Sequence, residues 1–339
     1  MHFSPRIYSA GLMMVLAFFL IGSGRPPHGT STAPTVHLPK TVSVKDFARK
    51  YGFTDVKVSK EQVHLKGRVH ELIFSKHSRR AELNGTVVWL NDAMVVEERQ
   101  WVLSQTDVQL TLKPLLVPAE LLKGCGYQVV VLDAGHGGED GGAVSPTGLL
   151  EKQVVLDITN RVRALLMAEG YKVYVTRHND RFLELAERPR RAEKWNADVF
   201  VSIHANSGGA SAVGTETFAL SLPGYPSTNQ SAGSAVPKDS NPGNLFNQAN
   251  VSLAYAIHHA LVHQNQLTDR GLRRARFAVL KNAPCPAALV EVGFLSHAQE
   301  GAKLAKAETR AALSLSIATG IDNYLRTVKK AVISADIAE

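Results

Sequence analysis

Two histidines and a glutamate in this 339-residue chain have the types and positions of catalytic zinc ligands. His136 follows the apolar run VVVLDAG, Glu151 begins an amphipathic segment, and His204 ends the apolar run VFVSIH. Two imidazoles and one carboxylate are a common catalytic zinc set that leaves a fourth position open for water. Zinc lowers the pKa of such a water towards about 7 and so produces a nucleophile at neutral pH. We therefore predict a Zn²⁺ site made by His136, Glu151 and His204.

Glu291 is the candidate general base. It lies in the otherwise apolar run AALVEVGF, where a carboxylate is costly unless it has a partner or a chemical role. A base close to zinc-activated water would explain it, and the same group could return the proton to a leaving amine. The alternative is a structural buried acid paired with an arginine.

Each ligand also has a simpler interpretation. The glycines around His136 suit a phosphate-binding turn, but the dinucleotide pattern needs glycine where this chain has Asp140. His204 alone would fit a hydrogen-bonded core histidine, and Glu151 alone would fit a helix N-terminal acid favoured by the helix dipole. The three residues together, in this order and context, favour the metal site.

The elements that must position these residues alternate between strands and helices from about residue 127. Apolar runs and helical spacing predict strands at 129–132, 172–176, 199–204, 215–220, 277–280 and 287–292, and helices at 154–166, 183–195, 253–261 and 308–325. This alternation predicts an α/β domain with a mainly parallel sheet over residues 125–327. Ligands in such sheets gather where strands end and loops begin.

Residues 41–120 are expected to form a separate small hairpin-rich α+β domain. A short helix is predicted near its start, and Asn84-Gly85 between AEL and TVVWL predicts a two-residue hairpin turn. His70-Glu71 fails the His-Glu-x-x-His zinc pattern because Phe74 stands four residues after His70. The sequence shows no chemistry in this region.

The N-terminus predicts export. Residues 1–24 combine the basic Arg6, an apolar stretch and the small residues Gly22, Ser23 and Gly24, which is typical of a signal peptide. The apolar stretch is short for a membrane span of about 20 residues, but an uncleaved anchor is the alternative. Membrane contact is expected only if the N-terminal segment stays uncleaved. In both cases the rest of the chain is expected in the periplasm or the extracellular cell envelope. Residues 25–40 are predicted to be a flexible linker and residues 328–339 a C-terminal tail.

The net charge indicates which partners are expected, and the two cysteines raise the question of a disulfide. The formal net charge of +8 favours anionic surroundings such as an envelope polymer. No arginine-aromatic platform or nucleic-acid motif accompanies that charge, so no nucleic-acid partner is expected. Cys125 and Cys285 would be able to pair in an exported protein, but two unrelated buried thiols fit the sequence equally well.

Four segments resemble the zinc-dependent N-acetylmuramoyl-L-alanine amidases of the bacterial cell wall. In chain order they read VVLDAGHGGEDGGAVSPTGLLEKQVVLDI, VYVTRHNDRFLELAERPRRAEKWNADVFVSIHANS, DRGLRRARFAVL and PAALVEVGFLSH, and the likeness runs from about residue 127 to 325. The resemblance implies an open twisted sheet flanked by helices. It also implies zinc ligation by His136, Glu151 and His204, and catalysis by Glu291.

The resemblance further implies the reaction and its setting. The reaction would be hydrolysis of the amide between N-acetylmuramic acid and the L-alanine of the stem peptide, in peptidoglycan catabolism and cell-wall remodelling. The partners would be peptidoglycan and an envelope activator protein. A zinc peptidase or deacetylase acting on other envelope polymers is the rival enzyme. A non-catalytic wall-binding protein is the rival from another class, but the chain keeps all three ligands and Glu291.

Several further residues carry weaker expectations. Asn206, Arg273 and Arg274 are predicted substrate-binding residues, although a solvated basic face is the alternative for the arginines. Arg177 and Arg188 are expected to hold loops and helices through pairs with carboxylates. The long segment 221–250 is predicted to be a loop that acts as a lid or regulator.

Region 41–120 faintly resembles small domains near the N-terminus of extracytoplasmic wall enzymes, which implies wall binding or positioning.

His259 and His263 stand four residues apart on one helix face, and surface histidines are expected there rather than a second metal site.

Overall fold

The computed structural model describes residues 41–122, 125–230 and 236–336. All of them belong to one compact unit that extends from Leu38 to Glu339. Among these residues no helix has both the length and the apolar character needed to cross a membrane. The predicted signal or anchor at 1–24, the predicted linker at 25–40 and the last residues of the predicted tail lie outside the described residues.

The N-terminal part is built from short strands. Strand β1 (Thr41–Ser43) precedes helix α1 (Val44–Lys50), and Ser43 caps that helix by accepting a hydrogen bond from the Asp46 backbone N–H. Five strands then form an antiparallel unit, here called the meander: β2 (Phe53–Val58), β3 (Gln62–Gly67), β4 (Glu71–Ser75), β5 (Arg80–Leu83) and β6 (Thr86–Trp89). Strands β7 (Val95–Glu97) and β8 (Gln100–Ser104) form a separate small sheet with β1, in the order β1-β8-β7.

The predicted Asn84-Gly85 hairpin is confirmed. These residues join β5 to β6, with φ angles of 50° and 74° that suit a two-residue turn. A helical connector then leads to the second part of the chain. It consists of α2 (Gln105–Asp107), a π-helical stretch (Val108–Leu112), α3 (Lys113–Leu116) and α4 (Pro118–Leu121).

The second part alternates strands and helices and has the predicted α/β character. Its elements are β9 (Val129–Ala134), α5 (Glu151–Ala168), β10 (Lys172–Val175), α6 (Glu187–Lys194), β11 (Val199–Asn206), β12 (Thr215–Leu220), a 3₁₀ helix (Pro242–Phe246), α7 (Asn247–Asn265), β13 (Asp269–Ala275), α8 (Ala278–Lys281), β14 (Ala287–Phe294), α9 (Ala298–Leu304) and α10 (Ala307–Asp336).

One large mixed sheet runs through both parts, in the order β10-β9-β11-β14-β12-β13-β6-β5-β4-β3-β2. Strands β10, β9, β11 and β14 are parallel neighbours, and β12 runs antiparallel to β14. Strand β13 is parallel to both β12 and β6, and its link to the meander is the Leu272–Val88 pair. The meander therefore continues the sheet of the α/β part, and a domain boundary near residue 120 stays a prediction.

The central strands are buried on both faces, which explains their continuous apolar runs. Val130 and Leu132 of β9 join the core beneath α5, α7 and α10, whereas Val131 joins a second core beneath α6 and α8. On β14 and β11 the same alternation places Leu289 and Phe200 in the second core. Residues in step with these two therefore face the α6 and α8 side.

Two local predictions are wrong. Residues 277–280 were expected to be a strand, but Ala278–Lys281 is helix α8, with extended Phe277 before it. Segment 221–250 was expected to be one loop, but its end forms the 3₁₀ helix and the start of α7. Whether the remainder acts as a lid stays a prediction. Cys125 and Cys285 are both free thiols in the structure.

Candidate metal centre and catalytic cleft

His136, Glu151 and His204 meet at one point, with their ligand atoms all within 4.8 Å of one another. Glu151 lies between the two rings. Its Oε2 is 3.1 Å from His136 Nε2, and its Oε1 is 3.0 Å from His204 Nδ1. Among the residues that the structure describes, no other three His, Cys, Asp or Glu side chains converge in this way.

A sharp backbone turn after β9 directs His136 to this point. His136 has a φ of 57°, and Gly137 and Gly138 follow with φ angles of 126° and 59°. Glycine is favoured at such angles because a Cβ is strained there. Gly135 is required for a different reason, since a Cβ at that position would collide with the His204 ring. The glycines that resembled a phosphate loop instead make room for the two histidines.

Glu151 is held in place from several sides. It begins α5 and is 4% exposed. Its Oε2 accepts a hydrogen bond from the Ala143 backbone N–H at 2.8 Å, and its Oε1 accepts one from Ala205 at 3.0 Å. Burial opposes the charged form, but hydrogen bonds from His136 and His204 outweigh it and lower the pKa of Glu151 far below its usual range.

This donor set fits zinc. Nitrogen and oxygen donors about 3 Å apart can each lie about 2.0–2.2 Å from a single ion. The other nitrogen of His136, Nδ1, lies 2.8 Å from Asp140 Oδ2, which fixes the ring orientation in the way that carboxylates behind metal-binding histidines do. Although burial acts in the opposite direction, contacts with Glu151 and Asp140 raise the pKa of His136.

Glu291 lies beside the metal centre on β14. It is the register partner of His204 on β11, it is 9% exposed, and its Oε2 has no hydrogen-bond partner among the described residues. Burial, followed by the charges of Glu151 and Glu216, raises the pKa of Glu291 well above its usual range. No described arginine forms an ion pair with it, which argues against the structural alternative.

Two buried arginines hold the backbone that carries His136. Arg177 donates to the carbonyl oxygens of Ala134 and Gly135 at 2.9 and 2.6 Å. Arg188 donates to Asp133 Oδ1 and to the His136 carbonyl oxygen, both at 3.0 Å. Arg188 thus has the expected carboxylate partner, whereas Arg177 holds the backbone through carbonyl oxygens instead.

The centre opens into a cleft of about 440 Å³ whose walls are mostly apolar. Its lining includes His136, His204 and Glu291, together with three large apolar residues here called the rim, Phe182, Leu185 and Phe277. The three rim side chains are 40%, 59% and 37% exposed, so apolar surface beside the metal centre is open to solvent. Sequence reasoning missed this rim because it placed Leu185 in a helix predicted at 183–195 and Phe277 in a strand predicted at 277–280, whereas both precede the helices that form there.

Asn206, Arg273 and Arg274 do not line this cleft. Arg274 is 4% exposed and donates to the carbonyl oxygens of Leu220 and Leu110, so its guanidinium is a structural group rather than a substrate contact. Arg273 and Asn206 both contact the carboxylate of Glu216.

Glu216 is a buried residue that sequence reasoning missed. The signal was weaker than for Glu291, because the predicted strand TETFAL has two threonines beside the charged residue. The expectation of surface histidines holds for His263, which is exposed, whereas His259 is half-buried. His259 and His263 lie 2.7 and 3.0 Å from the hydroxyl of Thr86 in the meander.

Comparison with known proteins identifies the same region. Residues 130–323 match the family Amidase_3, N-acetylmuramoyl-L-alanine amidase. The chain is 37% identical over 215 residues to the uncharacterized protein YqiI of Bacillus subtilis, covering 63% of this chain and 92% of YqiI. It is also 37% identical over 218 residues to the N-acetylmuramoyl-L-alanine amidase AmiC of Escherichia coli O6:H1, covering 58% of this chain and 52% of AmiC.

A solved structure gives a similar result. The amidase AmiC2 of Nostoc punctiforme is 34% identical and superposes with a TM-score of 0.50. The match covers 60% of this chain and 99% of the AmiC2 chain. The residues outside the family match at 130–323 include the whole meander.

Proposed function

The chain belongs to the Amidase_3 family of N-acetylmuramoyl-L-alanine amidases, and from that membership we propose a Zn²⁺-dependent enzyme that cleaves the amide between N-acetylmuramic acid and L-alanine in peptidoglycan. The family is one of peptidoglycan amidases, so the substrate class follows from membership. The observation that carries the zinc-dependent mechanism is the convergence of His136, Glu151 and His204 beside the buried Glu291.

His136, Glu151 and His204 would hold the metal. When bound, Zn²⁺ supplies Lewis-acid activation of the attacking water and of the substrate carbonyl. Asp140 keeps His136 in the orientation that presents Nε2 to the centre. Arg177 and Arg188 keep the preceding backbone from moving.

Glu291 would carry the proton. Its carboxylate takes a proton from the attacking water as the carbon–oxygen bond forms. It then donates that proton to the alanine nitrogen as the carbon–nitrogen bond breaks, which yields a lactyl carboxylate and a free stem-peptide amine. Without a metal, burial and then the charges of Glu151 and Glu216 raise the pKa of Glu291. A bound cation beside it would act in the opposite direction and favour the carboxylate that the first step requires.

The apolar rim would receive the uncharged part of the substrate. The scissile amide joins a lactyl group and an alanine, and each carries a methyl group next to the reacting carbon or nitrogen. Phe182, Leu185 and Phe277 lie at the cleft mouth, where contact with such groups removes apolar surface from water.

Export, wall binding and activation by a partner accompany the proposed function. Peptidoglycan lies outside the cytoplasm, so export to the periplasm or extracellular envelope is part of this function. Wall binding by region 41–120 and activation by an envelope protein stay predictions.

Product chemistry tests the proposal directly. Purified peptidoglycan is digested with the chain lacking residues 1–24, with and without a chelator, and the products are identified by mass spectrometry. We expect chelator-sensitive release of intact stem peptides that carry an L-alanine amino terminus, with unbroken glycan. Shortened stem peptides would indicate the rival peptidase, loss of acetyl groups would indicate the rival deacetylase, and release that a chelator does not affect would contradict zinc dependence.

A further inference from the structure

A series of contacts links the meander to the strand that carries Glu291. It begins at Trp89, at the end of β6. The Arg273 guanidinium lies over the Trp89 ring, 5.2 Å from its centroid, and Trp89 Nε1 donates to the Arg270 carbonyl oxygen at 2.8 Å. The approach is close, because a Cβ at Gly271 would lie 2.7 Å from the indole. The meander thus packs directly on the arginine-bearing strand β13.

The next contact is the buried carboxylate of Glu216, which is 2% exposed. Its Oε2 lies 3.0 Å from Arg273 Nε and 3.3 Å from Arg270 Nε, and its Oε1 accepts from Asn206 Nδ2 at 2.6 Å. A buried carboxylate is tolerated only with such partners, and charge-assisted bonds fix its position. Losing one partner would leave charge uncompensated and free the group to move.

Glu216 lies directly opposite Glu291 on the antiparallel neighbours β12 and β14. Opposite residues in an antiparallel pair project from the same face with Cβ atoms about 4.5–5.5 Å apart. Glu291 is in turn the partner of His204, so the three side chains form a row across the sheet. Thr215, next to Glu216, donates its hydroxyl to the Glu291 carbonyl oxygen at 2.7 Å. The position of β12 therefore bears on both the backbone and the side chain of Glu291.

We propose that Glu216 and Arg273 are positioning residues for the amidase reaction, and that Trp89 of the meander holds them in place. The meander then contributes to the structure of the active site, in addition to the wall binding predicted for region 41–120. This inference rests on the proposed function, because it concerns the placement of the general base. Arg273 also donates to Asn229, which ties the segment before residue 231 to the same group.

The first test compares two tryptophans of the N-terminal part in the full chain. Trp89→Leu removes the ring over Arg273, whereas Trp101→Leu changes β8, which pairs only with β1 and β7. We expect Trp89→Leu to lower kcat on the order of 10- to 100-fold with KM and bound zinc close to wild type. Trp101→Leu should retain kcat, and Trp89→Phe, which keeps an aromatic ring, should recover most of it. Equal kcat in the two leucine variants would overturn the proposal.

A double-mutant cycle gives the second test. If Trp89 acts through Glu216, the losses in kcat caused by Trp89→Leu and Glu216→Gln should not multiply in the double variant. Multiplicative losses would show independent effects and overturn the connection. Should Trp89→Leu fail to fold, Arg273→Lys replaces it in the cycle, since lysine keeps the charge but loses the planar group over the ring. If the wild-type protein binds zinc but releases no stem peptide, the proposed function fails. That result differs from failure of the positioning proposal, in which the wild-type protein is active and only the comparison among variants disagrees.

Discussion

Glu291 and His204 are register partners on the parallel strands β14 and β11, and their side chains project from the same face of the sheet. Neighbouring strands lie about 4.8 Å apart, so the proposed proton acceptor on one strand and the proposed metal ligand on the next are held at a separation set by the backbone. Helix α5 and the turn after β9 carry the other two proposed ligands outside the sheet. The proposed metal centre and the proposed base are therefore positioned by different elements.

This separation predicts that the base can be removed without losing the metal. We expect Glu291→Gln to lower kcat by about 10²- to 10⁴-fold, because proton transfer contributes on that order. Bound zinc should remain at the wild-type level, since Glu291 is not one of the three converging ligands. Single-turnover assays with elemental analysis of the same samples would measure both. Loss of zinc together with activity would show that Glu291 is a ligand rather than the base.

The same substitution should stabilise the metal-free protein. The pKa of Glu291 is raised in the folded state, first by burial and then by the charges of Glu151 and Glu216, so folding favours its protonated form. The destabilisation caused by the buried Glu291 carboxylate is therefore absent below the unfolded pKa of about 4.3. It grows as pH rises towards the folded pKa.

We expect the melting temperature of chelator-treated Glu291→Gln to exceed that of wild type by several degrees, from a gain of about 1–3 kcal/mol. The difference should be larger at pH 8 than at pH 5. Scanning calorimetry at the two pH values measures it. A difference that is constant or shrinks as pH rises would contradict the buried-charge explanation.

Much of the site could be predicted from sequence because its strands are recognisable. The continuous apolar runs of β9, β11 and β14 identified the sheet edge where the ligands gather. Strand β13 was not predicted, because its sequence DRGLRRA has the composition of a surface segment. Arg273 and Arg274 are buried through Glu216 and backbone carbonyls, and that arrangement depends on strand neighbours far away in sequence. The sequence does not show these tertiary contacts, and for that reason Arg274 was expected to contact the substrate rather than to be buried.

A third prediction concerns the carboxylate behind His136. Asp140→Ala removes the partner of His136 Nδ1 and should weaken zinc binding about 10- to 100-fold, as losses behind metal-binding histidines do. Competition with a chromogenic chelator measures the affinity. Asp157→Ala is the matched control, because that carboxylate pairs with Arg161 and Arg310 and contacts none of the ligands. Equal zinc affinity in the two variants would mean that Asp140 does not orient the ring.

The apolar rim predicts where binding energy for the substrate arises. Phe182→Ser or Leu185→Ser should raise KM about 10-fold with kcat nearly unchanged, because each removes apolar contact worth about 1.4 kcal/mol that is formed equally in the ground state and the transition state. Leu245→Ser is the control, since Leu245 is 75% exposed but lies outside the cleft. Initial-rate kinetics on a soluble muropeptide separate KM from kcat. A fall in kcat at constant KM would place the rim in the positioning of the reacting amide, and unchanged kinetics in both rim variants would remove it from the substrate site.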